Sequence, residues 1–163
     1  MKTKKTNAMR QLDKAKIKYD MRTFDVDAET HLEGLQVAER IQVDVNHIFK
    51  TLVLENDKHE HFVFVIPILA HLDMKKAAAT VNEKKLQLMP MHDLKKVTGY
   101  IRGGCSPIGM KTHFPTVIDE TIVQLEEAFV SGGHRGVQMG LAPQDLIEMS
   151  KAKVASVIAP NEY

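Results

Sequence analysis

The spacing of apolar positions changes along the chain, and each change predicts an element. Ala8, Leu12 and Ala15 recur at intervals of four and three among polar residues, the period of a helix with one buried stripe. Residues 19–26 read as a strand. Leu35, Ala38 and Ile41 return to helical spacing. Two apolar runs follow, 48–55 and 62–69, and the polar connection between them predicts a β-hairpin. Asp73 is placed to cap a short helix running to Ala79, and Asp93 begins another that must finish near Gly99. Extended segments are predicted at 116–118, 128–131, 137–141 and 154–158, with Pro143 opening a helix between the last two. Strands and short helices interleave without a regular βαβ rhythm. The expected fold is therefore α+β, a mixed, mostly antiparallel curved sheet surrounded by helices.

Composition bounds this picture. A chain of 163 residues, 44% apolar, buries roughly two-thirds of its unfolded surface, enough for one core. No repeat, low-complexity stretch or Pro/Gly/Ser linker divides it, so residues 1–163 are read as a single domain. The longest apolar run, 62–70, is nine residues and contains Pro67, whereas a bilayer-spanning helix needs about 20. Basic residues near the N-terminus lack the apolar block of a secretory signal. With Cys105 as its one cysteine the chain forms no internal disulfide, in keeping with a reducing, cytoplasmic location.

Charge separates weakly among partners. Lys and Arg total 22 against 21 Asp and Glu, so there is no global field for nucleic acid. Pairs at Lys75-Lys76, Lys84-Lys85 and Lys95-Lys96, with a basic segment over 1–18, would grip a phosphate backbone if they converged. Solvated helix surfaces explain them more simply. Six Phe, three Tyr and no Trp leave little for base stacking.

Candidate chemistry concentrates in glycine. Eight of the nine glycines fall in two windows, Gly99 to Gly109 and Gly132 to Gly140, whose peptide N–H groups are able to point at an anion. Tight turns between strands explain glycine equally well. Gly104 and Gly109 are spaced like a P-loop pair, but Met110 precedes Lys111 and the register fails. Lys50 interrupts the run 48–54. On a strand it shares a face with Leu52 and Leu54, which puts its ammonium at the rim of the core, either snorkelling or meeting an anionic ligand. Cys105 beside Gly103-Gly104 invites a thiol nucleophile, but a small residue packed in a turn is the simpler reading. The eight histidines carry no zinc spacing. No metal or cofactor is expected.

The order Lys50-Thr51-Leu52-Val53, then TGYIRGGCSPIG from Thr98 to Gly109, then Pro115-Thr116 opening an apolar strand, then VSGGHRG from Val130 to Gly136 resembles the YbaK family of aminoacyl-tRNA editing domains. Phe24-Asp25 before 28–30 and Leu72-Asp73 with Lys75-Lys76 extend the match over nearly the whole chain. The resemblance implies a pseudo-barrel of mixed strands ringed by helices, and a trans-acting deacylase that clears misacylated tRNA, most often Cys-tRNA(Pro). Prolyl-tRNA synthetase becomes a possible partner. It implies a catalytic centre at Lys50, Gly103 and Gly104, with Phe24, Leu32, Thr51, Pro107, Gly109, Ser131, Gly132 and Gln138 around the substrate.

The family is understood to let the substrate's own cysteine thiol attack its ester, so no enzyme nucleophile is needed. Lys50 then anchors the terminal adenosine rather than acting as base, since a lysine of ordinary pKa is protonated at neutral pH. Backbone N–H groups of the glycine loop are expected to stabilise the oxyanion. Better-known cysteine editors carry Tyr, Phe and Asp where this chain has Phe24, Leu32 and Gln138, which bears on the aminoacyl group accepted. The alternatives are hydrolytic editing of Ala-tRNA(Pro) and a non-catalytic module that binds tRNA or a synthetase.

Overall fold

A computed structural model describes residues 5–26 and 34–160. Its helices begin where short polar side chains replace missing backbone partners. The Thr6 hydroxyl accepts from Met9 N–H and starts α1 (Asn7–Lys14). The Asp73 carboxylate accepts from Lys75 and Lys76 N–H and starts α3 (Met74–Thr80). Between them lies α2 (Gly34–Ile41), and α4 (Leu94–Thr98) ends at Gly99 in the left-handed conformation. Pro143 occupies the first turn of α5 (Pro143–Ser150).

Among the described residues eight strands form two sheets. The first is three-stranded, with β1 (Asp20–Thr23) beside β7 (Val137–Leu141) and β6 (Ala128–Ser131) on the outside, all antiparallel. The second has the order β4 (Gln87–Leu88), β2 (Phe49–Glu55), β3 (His61–Pro67), β5 (Thr116–Asp119), β8 (Lys153–Ala155). Its hairpin β2–β3 is antiparallel, while β3–β5 and β5–β8 are parallel. A single parallel bridge, Ile48 to Phe129, joins the sheets.

Both sheets face one apolar cluster. Phe49, Val53, Val63 and Val65 come to it from the larger sheet, Val130, Val137 and Met139 from the smaller, and Met9 and Leu12 of α1 cover it. The opposite face of the larger sheet packs Leu54, Phe64 and Ile66 on Ala77 and Ala78 of α3. Central β3 is thus buried on both faces, which explains its unbroken apolar run. A third cluster sets Val37, Ala38 and Ile41 of α2 on Ile48 and Phe129. The mixed, mainly antiparallel architecture predicted from the sequence is present. Some bounds differ: the strand expected over 19–26 spans four residues, and β8 lies one residue earlier and ends at Ala155. Leu35, expected on the buried stripe of α2, is 61% exposed, with Gly34 and Val37 taking its place.

The Phe129 ring fixes the joint between sheets. It lies against Gly140 on the neighbouring strand, where an added Cβ would stand 2.5 Å from a ring carbon. The Arg22 guanidinium sits 5.7 Å from the ring centroid, held by Asp20 and by Ile41 O. Gly140→Ala is expected to cost about 1 to 3 kcal/mol through overpacking, read as a lower urea midpoint. The cost should shrink in a Phe129→Leu background; an equal cost there would show that the ring is not the obstacle.

Candidate active site

The bridge that joins the sheets lasts for one residue pair, and the two edges then part. On the side of β2 away from β3, Phe129 meets Ile48 at one end. At the other end β4 pairs with Leu54 and Glu55, and Met89 N–H donates to Val53 O at 3.2 Å. Among the described residues no strand pairs with that side between these two points. Alternation in the ladder turns the backbone of odd-numbered residues outward here, so the Thr51 peptide faces the gap. A cavity of about 500 Å³ opens there, within the usual range for small-molecule sites.

The cavity lies where the three apolar clusters meet. Phe49, Val53, Met89, Leu94 and Cys105 reach it from the shared core, Leu52 from the α3 side, and Phe24, Val37 and Ile68 from the α2 side. Three cationic side chains line it: Lys50, Arg102 and Arg135. Leu88 and Met91, both more than half exposed, form an apolar lip.

Two buried oxygens in this wall have no hydrogen-bond partner, Thr51 Oγ1 and Gln138 Oε1. Leaving such an atom unpaired costs about 1 to 3 kcal/mol, so both favour a polar ligand: Gln138 Oε1 needs a donor, and the Thr51 hydroxyl is able to accept or donate. Ser131 Oγ, by contrast, accepts from Gly133 N–H.

The structure brings Lys50, Gly103, Phe24, Thr51, Ser131 and Gln138 to one cavity. Four other candidates lie behind its wall, for steric reasons. Gly104 is where the two glycine loops touch: an added Cβ would be 2.9 Å from Arg135 N. Its N–H already donates to Ile101 O, closing the turn that carries Gly103 at φ +82°, and so is not available to an oxyanion. Gly109, at φ +80°, admits Ala8 of α1 and the Tyr100 hydroxyl. Gly132 packs on Val137 and Met139, and Pro107 is buried in the loop. Leu32 and the segment 28–30 lie outside the described residues. Sequence reasoning missed Arg102, Arg135 and the Met89–Leu94 wall. The two arginines stood inside the glycine motifs that drew attention, but nothing in spacing alone marks which loop side chains turn inward.

Cys105 does border the cavity, yet its chemistry is subdued. Burial pushes its thiol up to about 12 and does the same for the Tyr100 phenol, whose hydroxyl donates to Ile108 O at 2.8 Å. No histidine or carboxylate among the described lining residues is placed to deprotonate a nucleophile.

Residues 34–149 match the aminoacyl-tRNA editing domain, and the chain belongs to that family. Its class of activity is therefore the deacylation of misacylated tRNA. A protein of Enterococcus faecalis whose name proposes a Cys-tRNA(Pro)/Cys-tRNA(Cys) deacylase, EbsC, is 42% identical over 153 residues, covering 94% of this chain and 93% of its own. The uncharacterised YwhH of Bacillus subtilis is 32% identical over 120 residues, 73% of this chain and 75% of its own. The fold is similar to a crystal structure proposed as a trans-editing enzyme for prolyl-tRNA synthetase, with TM-score 0.80, 23% identity and coverage of 94% and 96%.

Both raised groups stay neutral in the fold but ionise more readily once the chain unfolds, from ordinary values of 9.0 for the thiol and 10.0 for the phenol. Their contribution is thus complete below about pH 9 and is lost as pH rises toward 12. The urea midpoint should fall between about pH 8 and pH 10.5, and fall less in Cys105→Ala. Equal decreases in both proteins would contradict the assignment.

Proposed function

We propose that the protein is a trans-editing deacylase of cysteine attached to tRNA(Pro), acting as one domain over residues 1–163 in the cytoplasm, where charged tRNA is used. The observation that carries this reading is a cavity with cationic and apolar walls whose thiol, Cys105, is held protonated by burial. A site so equipped is suited to a substrate that carries its own nucleophile. The cysteinyl sulfur attacks the ester carbonyl carbon, the C–S bond forms, and the carbon–oxygen bond to the ribose breaks. The thiol proton passes to the departing ribose oxygen, giving the thiolactone of cysteine and free tRNA. Holding sulfur and carbonyl together makes the step intramolecular, an advantage of about 7 to 11 kcal/mol in favourable cases.

Within this reading the roles follow from position. Lys50, half-buried beside the gap, anchors the terminal nucleotide, and Arg102 and Arg135 hold the phosphates that lead to it. The Gly103 N–H takes the oxyanion role, since that of Gly104 is engaged in its turn. Prolyl-tRNA synthetase is the natural source of the substrate and a candidate partner. Gln138 and Phe24 line the cavity where cysteine editors carry Asp and Tyr, and this favours as a second reading the water-dependent hydrolysis of Ala-tRNA(Pro).

The test is a panel of Cys-, Ala- and Ser-tRNA(Pro) with purified protein. Thiolactone is expected from the cysteinyl ester, with roughly a 100-fold loss in Lys50→Ala and most activity kept in Cys105→Ala. Loss in the folded cysteine variant would restore an enzyme thiol mechanism. Release of alanine without thiolactone would favour the second reading, and salt-sensitive tRNA binding without deacylation would leave a non-catalytic module.

A further inference from the structure

Gln138 is 8% exposed, borders the cavity, and its Oε1 has no hydrogen-bond partner. Strand register places it in a transverse row. Arg22 is its partner on β1 and Ser131 its partner on β6. Continuing the Ile48–Phe129 bridge by two residues sets Lys50 opposite Ser131. The row Lys50, Ser131, Gln138, Arg22 therefore crosses the gap on one face, the face that carries Phe129.

The neighbours in that row do not satisfy the orphaned oxygen. The Arg22 guanidinium is turned to Asp20 and Ile41 O, Ser131 Oγ accepts from Gly133 N–H, and neither side chain donates to Gln138 Oε1. Thr51 has the opposite parity on β2. It shares a face with Phe49 and Val53, so its own unpaired oxygen belongs to the apolar slot that Cys105 also borders. The cavity is thus divided into a polar row and an apolar slot, each with one oxygen lacking a hydrogen-bond partner.

We propose that Gln138 Oε1 accepts a hydrogen bond from the α-amino group of the aminoacyl ester, making Gln138 a specificity-determining residue. This rests on the deacylase reading above. An aminoacyl ester offers its amine on the carbon next to the reacting carbonyl. With the side chain in the apolar slot and the ribose at Lys50, the amine is the donor left to face the polar row. A neutral amide suits this task because its oxygen accepts from the amine in either protonation state.

The test removes the amine alone. Single-turnover deacylation is measured with Cys-tRNA(Pro) and with tRNA(Pro) carrying 3-mercaptopropionate, which keeps the thiol and the ester. Each rate is divided by the uncatalysed rate of the same ester, which removes the amine's effect on intrinsic reactivity. The wild-type protein should prefer the cysteinyl ester by roughly 10- to 100-fold. Gln138→Met, close in length but with only a weakly accepting sulfur, should lower the cysteinyl rate and bring the ratio to within about threefold of unity, while Gln138→Glu keeps the preference. A wild-type ratio near one overturns the proposal without any variant. An unchanged ratio in a folded Gln138→Met protein overturns it too. Failure of the wild-type protein to accelerate either ester would instead overturn the substrate reading on which it rests.

Discussion

Two strand edges meet at one residue pair and then diverge, and the site follows from that constraint. A sheet edge inside a protein has backbone groups that must find partners, and most folds satisfy them by adding a strand or a covering loop. Here β2 is covered at one end by Phe129 and at the other by β4. The stretch between is left to whatever fills the cavity. The same divergence opens the junction of the three apolar clusters, so a single feature supplies a polar seam and an apolar slot side by side.

The loops behind the parting are packed on Tyr100. Its ring and hydroxyl stand against both glycine windows: an added Cβ at Gly109 would be 2.8 Å from the hydroxyl oxygen, and one at Gly133 would be 2.9 Å from a ring carbon. Both glycines also have positive φ. The second window is pinned in turn to α1, through the Thr6 hydroxyl on Gly132 O. Most of the clustered glycines thus serve close packing, Gly109 and Gly133 against Tyr100 and the others against different neighbours, and of the two windows Gly103 and Gly136 reach the cavity. The two meanings of glycine that the sequence left open, ligand cradle and tight turn, are both present and divided by residue.

This division explains how far the sequence was legible. Periodicity and capping residues located the β-hairpin, β6, β7, and the helices at Asp73 and Pro143, because those signals are local. The two-residue β4 escaped notice, since its pairing with Leu54 and Glu55 is decided by tertiary contact. The buried face of α2 was misjudged at Leu35 because the small Gly34 lies against Ile68, where an added Cβ would be 2.9 Å from a side-chain carbon. At the site, motif positions identified the loops but not which atoms face inward. That Gly103 is in the wall and Gly104 behind it depends on the contact with Arg135, on a loop some thirty residues away.

Selectivity in such a cavity arises from matching rather than from reactivity. Its thiol is kept neutral by burial, so Cys105 is not poised as a nucleophile at ordinary pH. What the walls offer instead is a set of polar groups: cationic side chains at Lys50, Arg102 and Arg135, and oxygens without a hydrogen-bond partner at Thr51 and Gln138. A site with unpaired buried oxygens disfavours a molecule that lacks matching hydrogen-bonding groups, because those oxygens then stay unpaired in the complex. On the proposed reading, discrimination between aminoacyl groups of nearly equal size would rest on polar atoms in the gap between β2 and β6, where an unmade hydrogen bond costs most.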